Sequence, residues 1–334
     1  MAKKPMSLVD EIQKECGLSD DNQDVNQWLS TGLVQLNKVL SGRYHGGFPV
    51  GRITEIYGKE SCGKTAIATV AMVETQRVGG FCVFLDHEHS FSLSRAKQFG
   101  LDDDPNKWLY KQPTTAEESF ALIEKIINIV RNSDSQRHIT IVVDSVAAMV
   151  TKSQQETAFG EEKMNTRINL PTVMSSALPK LASMINKMNV TLILLNQTRD
   201  NVGQMMGDKT KTPGGNATKF YASVRIQLTK IKTLKGSENA FGEIIRALGK
   251  KNKTAPPLVT GEYINLFETG IDFIGSHLKF ANELGLLGDS QGWLEWDGKK
   301  YRAKDLTELF QSNPEEYQKF IAESFKDDDA STGS

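Results

Sequence analysis

Short runs of β-branched and aliphatic residues alternate with longer stretches whose apolar positions recur every three or four residues, from about Thr31 to Phe267. Ile53–Tyr57, Phe81–Asp86, Ile139–Asp144, Thr191–Asn196 and Ala222–Leu228 have the length and composition of buried strands. Thr65–Arg77, Ala116–Arg131 and Leu170–Lys187 have the helical period. This alternation predicts an α/β fold, a mostly parallel twisted sheet with helices on both faces. Near the start, Ser7 with Asp10 three residues on resembles a capping box. Val9, Ile12 and Cys16 then share one helical face before Gly17 ends it. So short a helix cannot hide its apolar stripe alone; it either folds back or docks on another subunit. After Gly270 the texture changes. An apolar helix near Gly275–Leu284, short strands around Trp293–Tyr301 and a polar helix from Pro314 predict a small α+β C-terminal unit. The expected organisation is residues 1–27 as N-terminal oligomerisation helix and polar linker, 28–269 as core, 270–325 as C-terminal domain and 326–334 as a solvated acidic tail.

Charge narrows the picture less than it first promises. The 40 Lys and Arg against 41 Asp and Glu leave a net charge of −1, so any nucleic-acid site must be local. Cys16, Cys62 and Cys82 are odd in number and lack metal-ligand spacing, which predicts reduced thiols and a cytoplasmic setting. The apolar runs Ile139–Val143 and Leu192–Leu195 are far too short to span a bilayer, so no membrane role is expected. No apolar segment follows Met-Ala-Lys-Lys-Pro as in a signal peptide.

The candidate chemistry sits at strand ends. Gly58-Lys59-Glu60-Ser61-Cys62-Gly63-Lys64-Thr65 fits the P-loop pattern, after a predicted strand and opening a predicted helix with Ala66. Its backbone N–H groups and helix N-terminus suit the phosphates of ATP, Lys64 the β- and γ-phosphates, and Thr65 a Mg²⁺ ion. Asp144 closes an apolar strand and is expected to hold Mg²⁺ through water. Glu88, just past another strand end, is the candidate carboxylate that orients water for attack. His87 and His89 flank it without an evident third metal ligand. Gln197, ending a further strand, is placed to sense the γ-phosphate.

One block narrows the family. Lys211-Thr212-Pro213-Gly214-Gly215-Asn216-Ala217-Thr218-Lys219-Phe220-Tyr221-Ala222-Ser223-Val224-Arg225 resembles the RecA recombinase family, bacterial and phage branch. Gly46–Arg52, Glu55–Gly58, Val143–Ala148, Asn196–Arg199 and Lys251-Asn252-Lys253 agree in order and spacing, over roughly residues 28 to 320. The resemblance implies a RecA-type P-loop ATPase core and a DNA-dependent ATPase that forms a filament on single-stranded DNA and pairs it with duplex DNA. It implies that Gly58 to Thr65 bind ATP and Mg²⁺, that Glu88 activates water, and that Gln197 switches between γ-phosphate and DNA. Lys251 and Lys253 would reach the neighbouring subunit's ATP. Phe220, with Lys219, would lie in the subunit contact, where the helix carrying Val9 and Ile12 would also dock. DNA would be held by Gln154–Asn165 and by Arg199–Gly215, and duplex by Ile271–Phe325.

The residues agree. Arg199–Gly215 holds four glycines, Val202, Met205, Met206, Lys209 and Lys211. Gly203, Gly214, Gly215 and Asn216 offer backbone to phosphate, and Arg199 and the lysines offer charge. The aliphatic tip can wedge between bases without reading them. Lys59 and Cys62 stand where the family usually has proline and serine. Ser92 and Arg95 stand where an Asp and a Tyr usually meet adenine, so Arg95 is expected to stack on the base. The alternative is a ring-forming motor or regulatory ATPase on the same core, which lacks the Gly-Gly-Asn-Ala block.

Overall fold

The computed structural model describes residues 15, 25–134, 136–157, 170–186, 188–200, 210–237, 239–290 and 292–327. Nine strands form the main sheet: β1 (Ile53–Gly58), β2 (Phe81–Asp86), β3 (Trp108–Lys111), β4 (Ile139–Asp144), β5 (Val190–Gln197), β6 (Val224–Lys235), β7 (Ala240–Asn252), β8 (Thr260–Leu266) and β9 (Gly270–Asp272). Their spatial order is β9-β8-β7-β6-β1-β5-β4-β2-β3. Everything from β6 to β3 pairs in parallel, and the β6–β9 side is antiparallel. The predicted α/β class and mostly parallel sheet are borne out. β3, β7, β8 and the short β9 are not expected from the pattern, and β6 begins two residues later than it predicts.

Alternation within the central strands explains the two covered faces. On β2, Cys82 and Phe84 face one core while Val83 and Leu85 face the other; on β5, Ile193 and Leu195 oppose Leu192 and Leu194. The first core is closed by α1 (Val34–Ser41) and α2 (Lys64–Arg77). The second is closed by α4 (Ala116–Ser133) and α5 (Leu170–Asn186), with α3 (Leu93–Gln98) following β2. Each fully buried aliphatic side chain contributes about 1.5–3 kcal/mol. The α4 start is fixed by Thr115, whose side chain accepts from the Glu118 N–H.

Beyond α6 (Ala217–Tyr221) and β9, the chain forms α7 (Phe273–Glu283), a small sheet of β10 (Asp289–Ser290), β11 (Trp293–Trp296) and β12 (Lys299–Tyr301), then α8 (Ala303–Ser312) and α9 (Pro314–Ser324). Trp296, Leu306, Phe310, Phe320 and Phe325 pack into a third core that also takes in Val34 of α1. His277 on α7 locks the join: its Nε2 accepts the Val34 N–H at 3.1 Å and its Nδ1 lies 2.6 Å from the Tyr317 hydroxyl. Asp327, expected in a solvated tail, is instead held down. Its carboxylate accepts the backbone N–H groups of Tyr44 and of His45, the latter at 3.1 Å, beside the buried Phe325. Backbone donors left over in the 42–47 turn provide that anchor, which composition could not reveal. Asp328 and Asp329 lie outside the described residues, as does the predicted N-terminal helix with Val9 and Ile12, apart from Glu15. Among the described residues no helix is long and apolar enough to cross a membrane.

Candidate active site

The loop between β1 and α2 has little freedom. A Cβ on Gly58 would meet Leu228 O at 2.4 Å and Cys62 Sγ at 2.6 Å. Gly63 caps α2 at φ 82°, a left-handed conformation that glycine adopts at no steric cost. Lys59, Glu60 and Ser61 are exposed, and Thr65 and Ala66 half-buried. Cys62 turns inward, and burial raises its thiol pKa against the pull of Lys64, so it stays neutral. The buried Lys64 bends back so that Nζ donates to Lys59 O at 2.8 Å and to Gly58 O at 3.4 Å.

Two parallel strands, β2 and β4, bring the acidic groups to this loop, and β5 brings Gln197. Thr65 Oγ1 on α2 donates to Asp144 Oδ2 at 2.9 Å. Burial pushes the Asp144 carboxyl up to about 7, with Glu88 and Asp86 adding to the rise and the Thr65 hydrogen bond opposing it. Asp86 accepts the Glu88 N–H (3.0 Å), the Phe91 N–H (3.1 Å) and the Tyr110 hydroxyl (2.9 Å), which shapes the turn after β2. That turn sends His87 toward α4, 2.6 Å from Ser119 Oγ, and leaves Glu88 facing the cleft. Glu88 Oε1 accepts from Gln197 Nε2 at 2.8 Å and from Ser145 Oγ at 2.5 Å. Glu88, Lys64, Thr65, Asp144 and Gln197 therefore converge in one cleft of about 800 Å³. A hydroxyl and a carboxylate are the hard oxygen donors Mg²⁺ takes, and it keeps several waters besides; the residues fit it.

Other walls of this cleft were not foreseen. The sequence assigns Ser145 no role, although its position directly after Asp144 is a signal that points to it. Phe91, Phe99, Phe267 and the exposed Arg95 of α3 also line the cleft. Ser92 instead caps α3, its Oγ accepting the Arg95 N–H at 3.3 Å. Lys230, Glu243 and Asn265 close the far wall, with Lys230 Nζ 3.6 Å from Glu243 Oε2. Glu243 and Asn265 come from β7 and β8, strands the pattern did not reveal.

Lys251 and Lys253 are not brought to this cleft. Lys251 pairs with Arg225, which lies level with Glu55 near the start of β1, away from Gly58. Its Nζ donates to Lys219 O at 2.6 Å and Phe220 O at 3.0 Å, and partial burial, with Lys253 and Arg225 nearby, lowers its pKa to about 8. Lys253 and Phe220 line a hollow of about 270 Å³ with Ile185 and Tyr221, and Phe220 is 69% exposed. The Arg199–Gly215 segment is pinned at its ends, Arg199 opposite Lys211 and Asp200 opposite Thr210. Gly214 and Gly215 follow at φ 87° and 71°, each so close to a neighbour (Val146, Pro171) that a Cβ would approach to 2.9 Å. Asn216 is exposed just before α6. Val202, Gly203, Met205, Met206 and Lys209 lie outside the described residues, as does most of Gln154–Asn165.

The comparisons agree with this geometry. The family model of the RecA N-terminal domain matches residues 11–272. Protein RecA of Bacteroides thetaiotaomicron is 36% identical over 321 residues, 94% of this chain and 93% of that protein. Protein RecA of Desulforapulum autotrophicum is 36% identical over 296 residues (88% and 81%), and that of Leptospira meyeri 38% over 289 (86% and 71%). With the P-loop, its paired carboxylates and the recombinase block all in register, the chain belongs to the RecA family, the DNA-dependent ATPases of homologous recombination.

Proposed function

We propose that the cleft binds ATP with Mg²⁺ and hydrolyses it while the protein, polymerised on single-stranded DNA in the cytoplasm, pairs that strand with a homologous duplex. The observation that carries this reading is the Glu88–Gln197 hydrogen bond set across the cleft from Lys64, Thr65 and Asp144. In that reading the loop N–H groups of residues 58–65 and Lys64 hold the phosphates, Lys64 leaving its carbonyl partners to do so. Thr65 and Asp144 hold Mg²⁺, which when bound spreads the charge of the phosphate oxygens. Glu88 accepts a proton from, and orients, the attacking water. Ser145 and Gln197 fix the carboxylate's rotamer, and Gln197 exchanges Glu88 for a γ-phosphate oxygen. Phe267 and Arg95 take the base between an aromatic face and a guanidinium plane. Lys251, Lys253, Lys219 and Phe220 face the next subunit, where the two lysines complete its nucleotide site. The Arg199–Asn216 segment meets single-stranded DNA, and the exposed Lys299, Lys300, Arg302 and Lys304 meet duplex.

Electron microscopy on single-stranded DNA tests this directly. Helical filaments with a non-hydrolysable ATP analogue, and none with Lys64→Ala, are expected. Closed rings instead would favour a motor-type assembly and overturn the reading.

A further inference from the structure

Asn196 is fully buried at the end of β5, and its carboxamide is satisfied on every side. Its Oδ1 accepts the Gln197 N–H at 3.0 Å. Its Nδ2 donates to Glu55 Oε1 at 2.9 Å and to Pro213 O at 3.1 Å. Glu55 is itself fully buried, and its other oxygen accepts from Arg225 Nε, whose guanidinium lies 4.7 Å from the Tyr57 ring centroid. One side chain thus grips the backbone of the residue that touches Glu88 and the carbonyl that precedes Gly214, with an ion pair behind it.

We propose that Asn196 is a positioning residue that couples Gln197 to the segment 199–213, the Glu55–Arg225 pair serving as its fixed anchor. The proposal rests on the roles given above to Gln197 and to that segment. Two features make it more than a buried amide filling space. The bonded groups belong to functionally different places: one is on the neighbouring Gln197, the other on Pro213, 17 residues from Asn196 in sequence. The Asn196 amide that accepts the Gln197 N–H also holds the Pro213 carbonyl, so a shift of the Gln197 backbone is felt at Pro213. The anchor cannot follow: Glu55 pairs in register between Leu194 and Arg225 in the middle of the sheet. Pro213 lies two residues beyond Lys211, which pairs with Arg199, so the pull enters the segment at its C-terminal end. Coupling between two sites of about 10-fold is of the size such a contact chain carries.

The experiment uses the full chain. ATP turnover is measured with and without oligo(dT), and the dissociation constant for labelled oligo(dT) is measured with ADP and with a non-hydrolysable ATP analogue. Asn196→Ala is expected to keep DNA-free turnover within about 2-fold while the stimulation by DNA, and the analogue-over-ADP gain in DNA affinity, each fall about 10-fold. Unchanged ratios, or equal losses of DNA-free and DNA-stimulated turnover, overturn the proposal; the second pattern is that of a merely structural amide. Should Asn196→Ala fail to fold, Pro213→Gly, which loosens the carbonyl end at a half-buried position, must lower the same two ratios, and unaltered ratios count against the proposal. If the parent protein shows no stimulation by DNA and no nucleotide effect on DNA affinity, the assignment of Gln197 and the segment fails first, and this proposal with it.

Discussion

Lowering the pH acts on His277 in a way that can be worked out from its surroundings. A backbone N–H can only donate, so Nε2, which accepts from Val34, must be bare, and Nδ1 carries the proton toward Tyr317 Oη. Burial lowers the imidazole pKa from 6.5 to about 3, and protonating Nε2 would also set two donors against each other. The unfolded chain takes up a proton near pH 6.5, but the folded chain does not until about pH 3, so stability is full above 6.5 and falls as the pH drops. Between pH 7 and 5 the loss from this one residue is about 2 kcal/mol, a figure that depends little on how far below 5 the folded value lies. Urea unfolding at constant ionic strength, followed by the fluorescence of Trp296 in the same core, reads it. His277→Gln can keep an acceptor for Val34 yet does not titrate. It should be less stable at pH 7 by about 1–3 kcal/mol but lose about 2 kcal/mol less than the parent on going to pH 5. Other buried histidines, His87 and His138, are common to both proteins and cancel in the comparison. Equal pH slopes for parent and variant would refute the argument.

Four further outcomes are expected. Glu88→Gln should retain nucleotide and filaments yet lose turnover by about 10²-fold or more, and parent-like hydrolysis would remove Glu88 as the base. Ser145→Ala, which deletes one of the two donors to Glu88, should lower kcat by about 10-fold with KM for ATP unchanged; a rise in KM alone would make Ser145 a binding group. Deleting residues 1–20 should give monomers that still bind nucleotide, because a head-to-tail contact loses its apolar anchor; polymers of unchanged size in sedimentation would argue against that. Removing residues 328–334 while leaving the docked Asp327 should raise duplex affinity at low salt, with the gain fading as salt is added and single-strand affinity unaltered. Identical duplex affinity at low ionic strength would exclude competition by the acidic end.

Much of the core was legible because its signals are local. A strand buried on both faces reads as an unbroken apolar run, so β2, β4 and β5 could be placed nearly to the residue. The P-loop is likewise a contiguous string whose glycines answer backbone demands at known offsets, and Glu88, Asp144 and Gln197 each follow an apolar run. β7 and β8 escaped because the outer strands carry charges, the exposed Arg246 and the half-buried Glu262 among them, which break the apolar run. With them went Glu243 and Asn265 of the cleft's far wall, and Phe267, which directly follows β8. What pairs with what was beyond the sequence altogether. That Glu88 touches Gln197 and Ser145, that Asn196 spans Glu55 and Pro213, that His277 accepts from Val34 and that Asp327 caps Tyr44 all join residues 50 or more positions apart, save for Asn196 and Pro213. Such contacts follow from strand order and helix docking, which are set by how the apolar faces close over one another, and only the folded chain decides them.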